Sequence, residues 1–282
     1  MIFWIASYPK SGNTWVRTLL SAYYYSQEGY FKQELLKYIG QFPEKIYFQK
    51  FNYNPKVIID TSRYWIKAQE IINKDKKIKF FKTHNILGSI DNHKFTNKEN
   101  SIGAIYVVRD PRNVITSLQN HYEFNQNEAL EFMINEKKFI HDYHSKNDYS
   151  DFQFISSWEK NYRSWTNQKN FSIKIVKYED LNIKTYEIFS EIIEFIERVI
   201  GTNKTVDKKK LRNAISTTSF DKMKILEQNQ GFSESVLSKN DPKKIPFFYL
   251  GPNNDWRNIF DEEYKKKLTT IFKDNLKELN YI

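Results

Sequence analysis

The chain contains no cysteine, which excludes disulfides and thiolate metal sites. No apolar run approaches the roughly 18–20 residues that span a bilayer. The opening "MIFWIASYPK" lacks the basic start and the long apolar core of a signal peptide, so a cytoplasmic enzyme or binding protein is expected. There is no internal repeat and no low-complexity linker. Two phosphate-binding fingerprints are also missing, GxxxxGK(S/T) and GxGxxG.

The 282 residues are 28% charged and 17% aromatic, with a formal charge of +10. That composition belongs to a folded chain long enough for one large domain, here taken as residues 1–282. The charge has two readings. Runs such as Lys208-Lys209-Lys210 and Lys265-Lys266-Lys267 suit a solvated surface, whereas a clustered positive field attracts an anionic ligand. No nucleic-acid recognition motif with aromatics at fixed spacing accompanies the lysines, so a small polyanion fits better than nucleic acid.

Four short runs rich in β-branched and aromatic residues read as buried strands: "IFWIAS", "IKFFKTH", "IGAIYVVRD" and "FSIKIVKYEDL". Helical spacing falls between and after them, at 13–25, 64–74, 111–122, 126–141, 156–167, 183–199, 207–214, 219–226 and 261–278. Alternating strands and helices predict an α/β fold with a central, mostly parallel sheet flanked by helices. Ligands of such sheets bind beyond the carboxyl ends of the strands. Lys10, His84, Arg109 and Tyr178 each follow a strand and therefore converge on one site. Residues 227–257 have no clear period but contain the apolar "IPFFYL", the profile of a flap-like loop.

The turn "SYPKSGNTW" between the first strand and the first helix is built to hold an anion on free backbone N–H groups. Lys10 precedes the only glycine, so the turn is not a Walker loop. "IYVVRD" imitates a Walker B strand ending in Asp110, but Arg109 beside it competes for that carboxylate. A P-loop-type kinase, or a non-catalytic nucleotide- or nucleic-acid-binding module, is the alternative reading. The five histidines and the carboxylates show no metal-ligand spacing, so no metal is expected.

"YPKSGNTW" resembles the 5′-phosphosulfate loop YPKSGTTW of the cytosolic-type sulfotransferases, differing only at Asn13. "FFKTH" (80–84), "YVVRDPRNVITS" (106–117), "VKYEDL" (176–181) and "TTSFDKM" (217–223) resemble further motifs of that family, in its order. The resemblance spans nearly the whole chain and implies a P-loop-NTPase-like sulfotransferase fold. The implied co-substrate is 3′-phosphoadenosine 5′-phosphosulfate (PAPS), whose sulfuryl group moves to a hydroxyl or amine. The acceptor would be a small molecule, a glycan or a lipid. It also implies roles. Lys10, Ser11, Gly12, Asn13, Thr14 and Trp15 would cradle the phosphosulfate end, with Lys10 at the bridging oxygen. His84 would be the general base and Lys82 would assist the transferring group. Arg109 and Ser117 would hold the 3′-phosphate, Ser117 also belonging to the catalytic set, with Arg112 and Arg257 as further anion candidates. Trp15, Phe220, Tyr178 and Thr218 would contact adenine. His121 follows Ser117 by one turn and, with Tyr122 and Phe124, points to the acceptor. His93, His141 and His144 have no such context.

The chain departs from the family in three places. The first strand begins at residue 2 with no arm before it, which predicts an acceptor pocket unlike those of phenol- and steroid-sulfating relatives. The late motif RKGxxGDWKN reads "YLGPNNDWRN" (249–258), with Tyr249 and Leu250 in place of the cationic pair and Asn254 in place of a glycine. Lys243 and Lys244, just upstream, are candidates to replace those cations. The family's dimer segment is not evident near "IFDEE".

Overall fold

Every residue of the first strand, β1 (Ile2–Ser7), is buried, because a strand with neighbours on both edges and helices on both faces meets no water. A computed structural model describes residues 1–141, 147–238 and 244–282. After β1 come α1 (Asn13–Tyr25), β2 (Gly40–Gln41), α2 (Trp65–Ile72) and β3 (Lys79–Thr83). A small hairpin, β4 (Ser89–Ile90) and β5 (His93–Lys94), precedes β6 (Ser101–Val108), α3 (Pro111–Tyr122) and α4 (Gln126–Ile134). Next are β7 (Phe139–Ile140), β8 (Gln153–Phe154), α5 (Trp158–Thr166), β9 (Ser172–Lys177), α6 (Tyr178–Ile183) and α7 (Thr185–Ile200). The chain ends with α8 (Lys208–Thr217), α9 (Phe220–Gln230), β10 (Val236–Leu237), β11 (Lys244–Ile245), α10 (Trp256–Ile259), α11 (Glu262–Ile271) and α12 (Lys273–Glu278).

The sheet order is β2-β3-β1-β6-β9, with every pairing parallel. Alternation along β1 builds two cores. Ile2, Trp4 and Ala6 face one layer with residues of α3, α4, α5, α11 and α12. Phe3 and Ile5 face the other, with residues of α1, α7 and α8. The sheet is therefore covered on both faces, as the sequence pattern predicts. Its parallel strands all end on one side, which is where the polar residues of the motifs emerge.

Several elements differ from the sequence reading. The helix expected over 126–141 stops at Ile134, because Asn135 accepts from the Lys137 N–H at 2.9 Å and so offers the backbone a turn in place of a helix. Phe139 and Ile140 then pair with β8. The last strand ends at Lys177, and "YEDL" opens α6 with Glu179 and Asp180 in its first turn, where the helix dipole favours acid. The helix expected at 261–278 is two helices, α11 and α12, meeting at the buried Phe272. The edge strand β2 is too short to show a period. Of residues 227–257, the described ones hold the end of α9, the paired strands β10 and β11, a 3-10 turn at Gly251–Asn253 and the start of α10.

Trp4 is fully buried and its Nε1 donates to Ser101 Oγ at 2.7 Å, tying β1 to β6. Replacing Trp4 by Ala is expected to cost about 3–5 kcal/mol, read as a lower denaturant midpoint with an unchanged slope.

Candidate active site

The turn after β1 is shaped by its backbone. Lys10 has φ 64° and Gly12 has φ 101°, both left-handed, a geometry that aims successive N–H groups into a concavity. A Cβ on Gly12 would lie 2.5 Å from the Tyr178 ring, so only glycine fits. Gly12 caps α1 without a side-chain acceptor, and its carbonyl takes the Trp15 and Val16 N–H groups at 3.1 and 3.3 Å, which leaves those of Asn13 and Thr14 for an anion. Ser11, expected in the cradle, is buried behind the turn and does not line the cavity, and its Oγ has no hydrogen-bond partner. The Asn13 amide instead donates back to Ile5 O at 2.9 Å and Ser7 Oγ at 3.2 Å. Asn13 thus pins the turn to β1, and what it can offer an anion is its backbone N–H.

The neighbouring strand ends bring the other predicted residues to the same place. Lys10, Thr14, Trp15, Lys82, His84, Arg109, Ser117, Tyr178, Thr218 and Phe220 all line one cavity of about 1350 Å³. That exceeds the roughly 300–1,000 Å³ of a single small-molecule site and has room for two substrates. Arg109 Nη1 donates to Lys10 O and to Ser117 Oγ, both at 3.2 Å, while its buried Nε has no partner. Ser117 Oγ also accepts from Asn254 Nδ2 at 3.1 Å, so its lone pairs are taken and its proton remains to be donated. The Arg109 guanidinium lies 4.2 Å over the Tyr178 ring, which meets Trp15 edge-on at 5.8 Å. Thr218 Oγ1 donates to Ala214 O at 2.8 Å, leaving it able only to accept.

Other candidates lie elsewhere. Arg257 is exposed and bonded to Asp255 at 2.8 Å, outside this cavity. Arg112 is buried and spent on Asp110 at 2.7 Å, so the neighbour that claims Asp110 is Arg112 and not Arg109, and that carboxylate is not available to a metal. Lys244 is exposed on β11 and does not line the cavity; Lys243 and His144 lie outside the described residues. Tyr249 and Leu250 line the cavity without supplying charge. His121, Tyr122 and Phe124 line its other end, with the His121 ring 6.2 Å from Phe247. Among the described residues no three His, Asp or Glu side chains are grouped to hold a metal ion.

Electrostatics separate the titratable groups. His84 Nδ1 lies 2.9 Å from Ser7 O, and a carbonyl only accepts, so Nδ1 carries the proton and Nε2 the lone pair. Burial, reinforced by the Lys82 charge, pushes His84 down to about 4. Burial lowers His121 to about 3 and Lys10 to about 7, the latter against the pull of Glu234. Lys10 Nζ also sits 4.0 Å over the Phe247 ring.

Three side-chain roles in the site are not legible in the motifs. Glu234 accepts from Thr14 Oγ1 at 2.6 Å, Arg17 Nη1 at 2.7 Å and Lys82 Nζ at 2.8 Å. It lies in an irregular segment, where no period marks it. Arg17 follows Thr14 by three residues on α1, a same-face spacing that could have flagged it. Asn254 holds Thr116, Asn113 O and Ser117 together, which is what its side chain does where the family pattern has glycine.

A family model described as a sulfotransferase domain matches residues 2–280. The chain belongs to the sulfotransferase domain family. Among its curated sulfotransferase relatives, rat sulfotransferase 1E1 is 26% identical, over 97% of this chain and 83% of the relative. Luciferin sulfotransferase of Photinus pyralis is 21% identical, over 99% and 72%. A solved mouse sulfotransferase complexed with PAP superposes with a TM-score of 0.56 at 18% identity, over 98% of this chain and 84% of that one. Retinol dehydratase in a complex with retinol and PAP also gives 0.56, at 19% identity, over 98% and 81%. These structures share the sulfotransferase fold: one α/β domain with a parallel sheet between helices.

In this sulfotransferase the ring of His84 is expected to titrate near pH 4, as the Nδ1–H tautomer, in a nitrogen-detected NMR titration. Lys82→Met removes a positive neighbour and should raise that value; an ordinary midpoint near ~6.5 in the unaltered protein would contradict the burial argument.

Proposed function

We propose that the protein transfers a sulfuryl group from PAPS to the hydroxyl, or the amine, of a small acceptor. The observation that carries this reading is the set of donor-bearing residues that line one cavity: Asn13 and Thr14 with their free backbone N–H groups at the start of α1, Arg109 with its guanidinium, and Ser117 with its unspent proton. They suit a ligand with phosphate groups at two ends, because the turn and the Arg109–Ser117 pair belong to different strand ends. When bound, PAPS supplies the sulfuryl group and a phosphate leaving group. The turn from Lys10 to Thr14 holds the 5′ end, and Arg109 and Ser117 hold the 3′-phosphate. Tyr178, Trp15, Phe220 and Thr218 surround adenine.

His84 receives the acceptor proton at Nε2, the ring atom that its bond to Ser7 O leaves free. At pH 7 the imidazole is neutral and competent as a base, and an adjacent anion raises its basicity further. Lys10 supplies a positive charge where the leaving oxygen gains negative charge, and Lys82 does so for the transferring group. Fixed cations in a cavity of this kind act without reorganising. His121, Tyr122 and Phe124 face the acceptor end with aromatic surface and hydrogen-bonding capacity together. That mixture suits a small hydroxylated compound, and one relative is named for sulfotransfer to luciferin.

His84→Asn is expected to lower kcat by roughly 10²–10⁴-fold while leaving the affinity for 3′-phosphoadenosine 5′-phosphate (PAP) within about twofold. Near-normal turnover, measured with radiolabelled PAPS and a panel of phenols and alcohols, would remove His84 from the mechanism. The pH profile carries a second test. Protonation silences His84 below its value of about 4, and Lys10 loses its charge above about 7. The profile of kcat/KM for PAPS should therefore be bell-shaped with limbs near those values, and Lys10→Arg should move the alkaline limb up. Bound anion favours both protonated forms, so the limbs in kcat should lie at higher pH.

A further inference from the structure

The carboxylate bonded to the cations Arg17 and Lys82 comes from outside the motifs. Glu234 follows the buried Phe232 in the segment between α9 and β10. Its Oε2 accepts the Thr14 hydroxyl at 2.6 Å, and its Oε1 accepts from Arg17 at 2.7 Å and Lys82 at 2.8 Å. The three charged side chains are only 11–17% exposed, so these bonds are made with little competition from water. Arg17 is fixed independently by donating to Ile39 O at 2.7 Å and Leu36 O at 2.9 Å. The carboxylate has therefore come to the cations, and its own segment is joined to α1 through it.

Two of these partners are also wanted by the reaction. A threonine hydroxyl has one proton, so Thr14 cannot donate it to Glu234 and to a second anion together. Thr14 is the second residue of α1, in the turn assigned above to the phosphosulfate end, and Lys82 is two residues before His84. A carboxylate and a phosphosulfate are thus alternatives for the same donors. The phosphosulfate presents more charge and more oxygens, so it wins the exchange. Acid does not release Glu234: burial alone would push its carboxyl up, but Lys82 and Arg17 outweigh that and hold it well below the usual range.

We propose that Glu234 is an exchangeable counter-ion, which neutralises Lys82 and Arg17 and ties its segment to α1 until the phosphosulfate end of PAPS takes over the Thr14 and Lys82 contacts. The inference rests on the sulfuryl-donor reading. Ser235, Val236 and Leu237, next in the chain, line the same cavity, so releasing Glu234 frees part of the wall beside the acceptor. Loading the donor and admitting the acceptor are then linked through one side chain.

The test is calorimetric titration of PAPS, without acceptor, into the unaltered protein and the Glu234→Gln and Glu234→Ala variants. Both variants should bind roughly five- to tenfold more tightly, because no bonded carboxylate has to leave. Both should melt at a lower temperature before PAPS is added and gain more on its addition. Hydrogen exchange over residues 232–237 should be fast in both variants without nucleotide, and fast in the unaltered protein only with PAPS. Unchanged or weaker PAPS binding by variants of a protein that does bind it would overturn the exchange alone, since a carboxylate that merely orients Lys82 and Arg17 predicts weaker binding. Unchanged melting and exchange in the variants would overturn the tie. Failure of all three proteins to bind PAPS would overturn the donor reading and the exchange with it.

Discussion

Lys10, Arg17, Lys82 and Arg109 are held in or beside one cavity, with the Glu234 carboxylate bonded to Arg17 and Lys82. Two like charges about 8 Å apart repel by about 2 kcal/mol at an effective dielectric near 20, so the arrangement is costly unless an anion shares the site. Everything else in the structure can be traced to keeping it in place. The buried β1 fixes where the turn emerges, and Gly12 allows that turn to pass close under Tyr178. The parallel sheet places the ends of β3 and β6 alongside. Burial, reinforced by neighbouring positive charge, lowers His84, Lys10 and Lys82, so the site is a strong acceptor of negative charge and a weak holder of protons.

The surrounding packing gives these polar residues fixed positions. Asn13 locks the turn to β1, Ser7 sets the tautomer of His84, and Asn254 with Arg109 spends both lone pairs of Ser117. In each case a second side chain or carbonyl decides which atom of the first is left to meet a ligand. Such preorganisation lets the site act without rearranging as charge develops.

Much of this was legible in the sequence because its signals are local. A fully apolar run followed by "SYPKSGNTW" marks β1, the turn and α1, and the bounds 13–25 and 111–122 hold to the residue. His84, Arg109 and Ser117 are readable because each is fixed to a strand end or to a helix entered directly from one. What was not legible depends on contacts between distant segments. Glu234 reaches α1 across 220 residues from a stretch with no period, and the two-residue strand β2 exists only because β3 is beside it. The helix expected to continue to residue 141 lost to Asn135, a competition that periodicity does not register. Arg257 matches its motif by position, yet its side chain turns outward to Asp255.

The central claim is that the turn and the Arg109–Ser117 pair hold the two phosphate-bearing ends of one nucleotide. The most direct measurement is calorimetric binding of PAP against adenosine 5′-phosphate, to the unaltered protein and to Arg109→Ala. PAP should bind at least roughly tenfold more tightly than adenosine 5′-phosphate, and Arg109→Ala should remove most of that preference, since a hydrogen bond to a charged group is worth about 1.5–3 kcal/mol. Equal affinity for the two nucleotides, or a preference that survives Arg109→Ala, would contradict it.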